Sequence, residues 1–309
     1  MHVLVTGATG FLGAYLLRRL SGEDVTVAIL VRPQSDRWRI QDLCKNLVEI
    51  VGDLRYPQDI VKDIKAFGPD TVIHLAWFGV LNPYRNDLSQ LDNISYSISL
   101  LRVVYEAGCK TWIGLGSQAE YGPLNMRITE NSPTRPSTLY GAAKLCTCLM
   151  SKYLCGHLDL RFVWLRLFSA YGPMDDPGWM IPSLILTLLR GERPALTEGA
   201  QRWDYLYVTD VVDAIFLSMI TPNASGVFNL GSGKTYTVRS IAEQIRDLID
   251  PELPLGFGEV PYRPDQVMHL EAEISRLRQA TGWTPRINLQ EGLRRTVEWF
   301  KENRWRYER

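Results

Sequence analysis

A glycine-rich turn between a short apolar run and a helical pattern most constrains how this 309-residue chain can fold. The run His2–Thr6 leads into Gly7-Ala8-Thr9-Gly10-Phe11-Leu12-Gly13, and apolar residues then recur at helical spacing. Glycines at such a turn let backbone N–H groups approach a pyrophosphate and let the helix lie close to the strand. Because another strand pattern follows, we predict a dinucleotide-binding βαβ unit. The predicted cofactor contacts are Gly7, Thr9, Gly10, Phe11, Leu12 and Gly13.

Short apolar runs alternate with longer helical patterns through the first half of the chain. The predicted strands are His2–Thr6, Val25–Val31, Val48–Val51, Thr71–Ala76, Thr111–Leu115 and Arg161–Leu167. The predicted helices cover residues 11–21, 57–67, 88–107 and 138–155. Strands that are apolar on both faces and separated by helices indicate a parallel sheet covered on both sides. We therefore predict an α/β fold with a doubly wound (Rossmann) sheet.

The strand-helix alternation loosens after about residue 170. Stretches rich in Pro and Gly are interleaved there with helical patterns near residues 180–190, 209–220, 237–249 and 289–303. We predict a dinucleotide-binding domain over residues 1–170 and a smaller, mostly substrate-binding lobe over residues 171–309. A strand and helix near residues 205–235 are expected to return to the first domain.

Composition excludes several classes of partner. Thirty-four basic residues balance 34 acidic ones, so no global field attracts nucleic acid or anionic lipid. No apolar run reaches the roughly 18 residues of a membrane span. Five cysteines without a Cys-x-x-Cys pair indicate neither a disulfide framework nor a zinc site, and we expect buried thiols and no bound metal. A cytoplasmic location is the resulting expectation.

The end of the second predicted strand bears on which dinucleotide binds. An NAD site usually places an acid there to accept a hydrogen bond from the ribose 2′-hydroxyl, but this chain has Arg32, followed by Ser35 and Arg37. Arginines at this point fit a 2′-phosphate. NADP(H) is therefore favoured as cofactor, while NAD(H) stays open because these arginines also fit a solvated loop.

Two further strand ends contribute predicted cofactor contacts. Asp53 and Leu54 follow the third strand, where an acid can accept a hydrogen bond from an adenine amino group. Leu75 and Ala76 end the fourth strand, where the small Ala76 side chain leaves room for the cofactor backbone. His74 is expected to be a packed, hydrogen-bonded histidine rather than a catalyst.

Tyr140 and Lys144 stand one helical turn apart on the same helix face. A phenol with a pKa of about 10 exchanges protons poorly at neutral pH, but a neighbouring cation stabilises its anion. An isolated pair of this kind also fits a solvated helix surface. Ser117, however, follows the fifth predicted strand, at the sheet edge where open α/β sheets bind ligands. Ser117, Tyr140 and Lys144 are the predicted catalytic residues.

Taken together, these features resemble the extended short-chain dehydrogenase/reductase family, in its branch of NAD(P)-dependent nucleotide-sugar epimerases, dehydratases and reductases. Further matching segments are Tyr121-Gly122, Leu165-Arg166-Leu167-Phe168, Tyr171-Gly172-Pro173, Asp204-Tyr205 through Asp210, Phe228 to Gly233, Arg263-Pro264, and Gly282-Trp283 with Pro285. The resemblance covers nearly the whole chain. It implies that Tyr140 is the general acid/base, that Lys144 lowers its pKa and binds the nicotinamide ribose, and that Ser117 orients the reacting oxygen.

The resemblance also implies that the C-terminal lobe grips a nucleoside diphosphate. Arg263, in the loop of residues 262–265, matches the family's diphosphate arginine. Its planar guanidinium suits that bidentate contact. The full set of predicted substrate contacts is Gln118, Ser169, Trp179, Arg202 and Arg263.

Departures from the family pattern bear on the reaction. Gln118-Ala119 stands where family dehydratases carry Asp-Glu, which disfavours dehydration. Glu120 is expected to point away from the site or to hold a loop, and a substrate contact stays open as the alternative. Ser169 stands where many 4-epimerases carry Asn, and Arg202 is displaced by one position from the family's arginine before Asp204. The family pattern therefore leaves the substrate contacts at these positions open.

Three functions follow as hypotheses. The favoured one is NADPH-dependent reduction of a nucleotide-linked 4-keto-6-deoxyhexose to the corresponding deoxysugar. The alternative is an NAD-dependent nucleotide-sugar 4-epimerase, and a noncatalytic dinucleotide-binding sensor or scaffold is the least favoured. Pairing of the helices near residues 88–107 and 138–155 across a two-fold axis would give a homodimer.

Overall fold

Thirteen strands and nine α-helices make up the regular structure of residues 1–263 and 266–307, which the computed structural model describes. The strands are β1 (His2–Thr6), β2 (Thr26–Val31), β3 (Val48–Val51), β4 (Thr71–His74), β5 (Thr111–Ser117), β6 (Met126–Ile128), β7 (Arg161–Leu167), β8 (Ala170–Tyr171), β9 (Arg202–Trp203), β10 (Leu206–Tyr207), β11 (Gly226–Leu230), β12 (Tyr236–Thr237) and β13 (His269–Ala272). The helices are α1 (Phe11–Leu20), α2 (Pro57–Phe67), α3 (Gln90–Glu106), α4 (Leu139–His157), α5 (Met180–Leu189), α6 (Val208–Ile220), α7 (Val238–Ile249), α8 (Ser275–Thr281) and α9 (Leu289–Asn303).

Seven of these strands form one parallel sheet, in the order β11-β7-β5-β4-β1-β2-β3. From β1 the sheet extends in one direction through β2 and β3, and from β4 it extends in the other direction through β5, β7 and β11. The connections that leave β1 and β4 therefore run to opposite sides, which opens a crevice between these two strands at the carboxyl edge of the sheet. This is the point at which a doubly wound sheet binds a ligand.

Side chains of the inner strands alternate between two apolar cores. In β1, Val3 and Val5 join the core that contains α1 and α6, whereas Leu4 joins the core that contains α2, α3 and α4. This period of two places apolar residues on both faces of the sheet, and helices cover both faces. The predicted doubly wound α/β fold is confirmed.

Two strand boundaries differ from the sequence prediction. β4 ends at His74 rather than Ala76, because the Ala76 N–H bonds to the Thr6 hydroxyl oxygen instead of continuing the ladder. β5 continues to Ser117, two residues past the predicted end, because its pairing with β7 extends to Leu167.

A second, four-stranded sheet has the order β12-β9-β13-β6 and was not predicted. It joins β6, from the first half of the chain, to three strands from the second half. Strands of two to four residues are too short to show a period of two, so no sequence pattern indicates them.

The helices α5, α7 and α9 pack around a third apolar cluster, which includes Ile185, Ile241 and Leu293. β11, by contrast, is the edge strand of the seven-stranded sheet, and α6 packs against α1. The second half of the chain therefore contributes both to the main sheet and to the separate helical cluster.

Three of the five free cysteines are buried, but Cys44 is only partly buried and Cys146 is exposed, which corrects the expectation that all five are buried. Within residues 1–263 and 266–307, no three His, Cys, Asp or Glu side chains are grouped to hold a metal ion. None of the helices in the described part of the chain has the length and apolar character needed to cross a bilayer.

Candidate active site

A cavity of about 980 Å³ opens at the carboxyl edge of the main sheet. Its size lies within the range of small-molecule sites. The predicted site residues that line it are Gly7, Thr9, Gly10, Phe11, Leu12, Gly13, Arg32, Ser35, Asp53, Leu54, Leu75, Ala76, Ser117, Gln118, Tyr140, Lys144, Ser169, Trp179 and Arg263. Two predicted residues, Arg37 and Arg202, are not among the residues that line the cavity.

The glycine turn brings β1, α1 and the end of β4 into close contact. A Cβ atom on Gly7, whose φ is 71°, would lie 2.7 Å from the Ala76 nitrogen, and one on Gly13 would lie 2.2 Å from the Gly7 oxygen. In the described chain no side chain caps the N-terminus of α1, and its first turn holds no acid. The uncapped N–H groups and the helix dipole therefore fit the phosphates of a dinucleotide.

Charged residues surround the far end of the cavity, where β2 and β3 end. Arg32 and Ser35 follow β2, and Asp53 follows β3. Burial opposes ionisation of Asp53, but hydrogen bonds from Arg55 outweigh it, so the pKa of this carboxyl lies below its usual value. Arg37 instead pairs with Glu49, with 2.7 Å between Nη1 and Oε1.

Tyr140 is held in place by the start of α4. The Thr138 hydroxyl caps the helix by accepting a hydrogen bond from the Gly141 N–H, at 3.1 Å. A Cβ atom on Gly141 would lie 2.4 Å from the Ala119 oxygen, so glycine lets the helix approach the turn that follows Ser117. Burial raises the pKa of Tyr140, while hydrogen bonding from Ser117 and the charge of Arg85 oppose that increase.

Ser117 is fixed by a capping box at the end of β5. Its hydroxyl accepts a hydrogen bond from the Ala119 N–H, and its own N–H donates to the Glu120 carboxylate at 2.9 Å. Glu120 also accepts hydrogen bonds from the Trp164 indole at 2.9 Å and from Arg166 at 2.6 Å. Glu120 therefore holds this loop, as predicted. Its side chain is fully buried and is not among the residues that line the cavity.

Lys144 lies one turn along α4 from Tyr140. Its Nζ donates a hydrogen bond to the Leu115 carbonyl at 2.7 Å and lies 3.8 Å from the centroid of the Trp77 ring. Burial lowers the pKa of Lys144 to about 7. The Lys144 charge is therefore sensitive to pH near neutrality.

His74 is a buried structural residue, as predicted. Its ring nitrogens lie 2.8 Å from the Thr6 hydroxyl and 2.9 Å from the Ser97 hydroxyl. Burial, with the nearby Lys144 charge, lowers the pKa of His74 to about 3, so the ring is neutral at physiological pH.

On the substrate side, Gln118, Ser169, Trp179 and Arg263 face the cavity. Arg202 does not, because its guanidinium donates hydrogen bonds to Thr235. Pro264 and Asp265, which belong to the loop predicted around Arg263, lie outside the described residues.

The cavity also contains residues that sequence reasoning missed. Arg85 and Arg39 line it, and both lie in irregular segments with no periodic pattern. No sequence pattern marks either residue, since an arginine in a loop is usually solvated. Trp77 also lines the cavity; its sequence position fits either core packing or an apolar wall for a sugar or base.

Comparisons with known proteins agree with this architecture. The model of the NAD dependent epimerase/dehydratase family matches residues 3–231. A dTDP-glucose 4,6-dehydratase of Streptomyces niveus is 28% identical over 320 residues, covering 98% of this chain and 94% of the relative.

Solved structures match over nearly the whole chain. The complex of Thermus thermophilus UDP-glucose 4-epimerase with NAD has a TM-score of 0.87 at 25% identity, covering 97% of this chain and 99% of that one. The UDP-N-acetylglucosamine 4-epimerase of Methanobrevibacter ruminantium M1, in complex with UDP-N-acetylmuramic acid, has a TM-score of 0.87 at 29% identity, with 98% of each chain covered.

Replacing Glu120 by Gln is expected to lower the free energy of unfolding by about 3 kcal/mol, because it leaves the Arg166 charge buried without a counter-charge. Urea denaturation measures this change. The double variant Glu120→Gln with Arg166→Met is expected to recover part of the loss. Additive losses from the two substitutions would contradict a coupled buried pair.

Proposed function

Because the chain belongs to the NAD-dependent epimerase/dehydratase family and is thus an enzyme of the extended short-chain dehydrogenase/reductase type, we propose that it reduces a nucleotide-linked 4-keto-6-deoxyhexose with NADPH. The observation that carries this proposal is Arg32, which lines the cavity where an NAD site usually has an acid. A reductase binds NADPH and releases NADP at each turnover, so preference for the phosphorylated cofactor favours it over an enzyme that retains NAD.

The surroundings of Arg32 support the choice of NADP(H). Arg32 is exposed to the cavity and forms no ion pair with any described residue, and Ser35 lies beside it in the lining. The Asp53 carboxylate, which the Arg32 charge influences, accepts its hydrogen bonds from Arg55 instead. An unpaired guanidinium with a neighbouring hydroxyl suits a 2′-phosphate.

Three side chains carry the proposed chemistry. The bound cofactor supplies the hydride. The Tyr140 hydroxyl donates its proton to the carbonyl oxygen at C4 of the sugar as that carbon is reduced, and the phenolate is then reprotonated from solvent. Ser117 donates a hydrogen bond to the same oxygen, and Lys144 binds the nicotinamide ribose.

The residues that follow Ser117 support reduction rather than dehydration. Gln118 faces the cavity, and its amide has no titratable proton with which to assist loss of water. Glu120 is occupied by Ser117, Trp164 and Arg166 and has no exposed surface. Neither residue is placed to act as an acid/base pair on the sugar.

The substrate is proposed to lie between the sheet edge and the C-terminal half of the chain. Arg263 would bind the diphosphate, and Gln118, Ser169 and Trp179 would contact the sugar. In this arrangement residues 1–170 form the cofactor domain, residues near 205–235 rejoin it, and the rest of residues 171–309 forms the substrate lobe.

A homodimer is also proposed. Helices α3 and α4 pack together and expose large apolar side chains, namely Leu91, Tyr105, Leu149, Met150 and Tyr153. Pairing of this surface with a second copy would bury them. Light scattering that gives the mass of a single chain at micromolar concentration would contradict this proposal.

A nucleotide-sugar 4-epimerase is the second candidate, and the similarity to 4-epimerases supports it. An epimerase keeps its cofactor through an oxidation and a re-reduction. Tightly bound NAD in the protein as purified would favour this candidate over the reductase.

Replacing Arg32 by Gln is expected to weaken NADPH binding roughly tenfold, equivalent to about 1.4 kcal/mol, because one charge-assisted contact to the 2′-phosphate is lost. NADH binding is expected to stay nearly unchanged. Fluorescence titration with both cofactors measures the ratio. Arg37→Gln is the matched control, since Arg37 pairs with Glu49 outside the cavity lining; equal weakening of NADPH and NADH binding in Arg32→Gln would contradict the assignment.

The reaction is tested by following NADPH consumption with TDP-, CDP- and GDP-linked 4-keto-6-deoxyhexoses. We expect turnover with one nucleotide series and a loss on the order of a hundredfold or more in Tyr140→Phe, because the proton donor is removed. No consumption with any of these compounds would reject the reductase, and UDP-sugar epimerisation would then be the next assay.

A further inference from the structure

Arg85 places a positive charge against the face of the Tyr140 ring. Its guanidinium carbon lies 5.2 Å from the centroid of that ring and 6.0 Å from the centroid of Trp179. The side chain is partly buried in the cavity wall, and its Nε donates a hydrogen bond to the Val80 carbonyl at 3.3 Å. No carboxylate among the described residues forms an ion pair with Arg85.

Two hydrogen bonds from backbone N–H groups of α4 fix the position of Arg85 relative to Tyr140. The Tyr140 N–H donates a hydrogen bond to the Arg85 carbonyl at 2.8 Å, and the Leu139 N–H donates one to the Asn86 side chain at 3.1 Å. The loop between β4 and α3 is thus attached to the first turn of α4. The Arg85 charge therefore stays close to the phenol without help from a ligand.

Such a cation has an uneven effect on the two protonation states of Tyr140. Ionisation of a phenol spreads negative charge over its ring, so a guanidinium above the ring face stabilises the phenolate more than the neutral phenol. An arginine also stays charged throughout the working pH range. The phenolate would in turn supply the counter-charge that Arg85 lacks in the described chain.

The other charged groups near Tyr140 act differently. Lys144 directs its ammonium group to the Leu115 carbonyl and the Trp77 ring. Glu120, behind Ser117, opposes ionisation of the phenol, whereas hydrogen bonding from Ser117 favours it. Arg263 faces Arg85 from the C-terminal half and repels it.

We propose that Arg85 is a positioning residue that acts through Tyr140, stabilising its phenolate and thereby setting the acidity of the proton donor. Arg85 itself neither gives nor takes a proton. The proton leaves the Tyr140 oxygen for the substrate oxygen, and the charge left on the phenolate faces Arg85. The catalytic meaning of this effect rests on the proposed function, but the charge effect on Tyr140 does not.

The test is to measure the ionisation of residue 140 alone. A fluorinated tyrosine introduced at position 140 has a more acidic phenol, which brings its titration into the stable pH range, and its fluorine NMR signal is not overlapped by the other tyrosines. The titration is compared among the otherwise unchanged protein, Arg85→Gln and Arg85→Lys. Arg202→Gln is the matched control, because it removes a charge that lies outside the cavity lining.

We expect Arg85→Gln to raise the titration midpoint by roughly 1 pH unit, as for loss of an opposite charge a few ångströms away. Arg85→Lys is expected to restore most of the original midpoint, and Arg202→Gln to leave it unchanged. An unchanged midpoint in Arg85→Gln would overturn the proposal. If circular dichroism shows that Arg85→Gln does not fold, Arg85→Met replaces it, because methionine keeps the aliphatic packing. An unchanged titration midpoint of residue 140 in Arg85→Met would then overturn the proposal.

Turnover measurements separate this inference from the proposed function. With a substrate in hand, the alkaline limb of the kcat profile in the reductive direction is expected to move upward in Arg85→Gln by the same amount. A purely structural role would lower kcat without moving that limb. If the midpoint of residue 140 moves but no keto sugar is reduced, the proposed function fails and the inference stands; if reduction occurs and the midpoint does not move, the inference fails alone.

Discussion

The geometry of the proposed catalytic residues depends on the hydrogen bonds and the ion pair made by the buried Glu120 carboxylate. It accepts hydrogen bonds from the Ser117 backbone on β5 and from Trp164 and Arg166 on β7. A buried carboxylate needs both a counter-charge and donors for its oxygens, and these three groups supply them. The two strands and the turn after Ser117 are therefore fixed to one another where the hydroxyl enters the cavity.

The residues that contact Glu120 also link this turn to other elements of the fold. The Arg166 guanidinium lies 4.5 Å from the centroid of the Tyr121 ring, and the Tyr121 hydroxyl donates a hydrogen bond to Asn229 on β11 at 2.7 Å. On the other side, α4 approaches the Ala119 carbonyl at Gly141. Tyr140 is thus positioned against Ser117 by packing between elements that the same turn holds together.

The sequence predicted those parts of the structure that repeat or that have few alternatives. The doubly wound sheet followed from apolar runs separated by helices, and the turn of residues 7–13 followed from glycines at positions where a side chain would collide. Tyr140 and Lys144 could be grouped with Ser117 because helical spacing and the carboxyl edge of a parallel sheet both restrict where a side chain points.

The structure departs from the sequence prediction where the direction of a single side chain decides whether that residue lines the cavity. Arg202 and Trp203 are neighbours on β9, and adjacent strand residues face opposite ways, so Trp203 enters the cavity and Arg202 does not. Arg37 forms an ion pair with Glu49 on the edge strand β3, and no local sequence pattern indicates this pair. Arg85 lies in a loop whose course depends on bonds to α4 that are remote in sequence. The most direct measurement of the central claim is the fate of deuterium from NADPH that carries deuterium at both C4 positions, supplied in parallel assays with a nucleotide-linked 4-keto-6-deoxyhexose and with a UDP-hexose. We predict one deuterium at C4 of the deoxysugar product and one NADP released for each product formed. No deuterium transfer to the keto sugar, together with inversion of the UDP-hexose at C4 without net consumption of cofactor, would contradict the reductase and establish epimerisation.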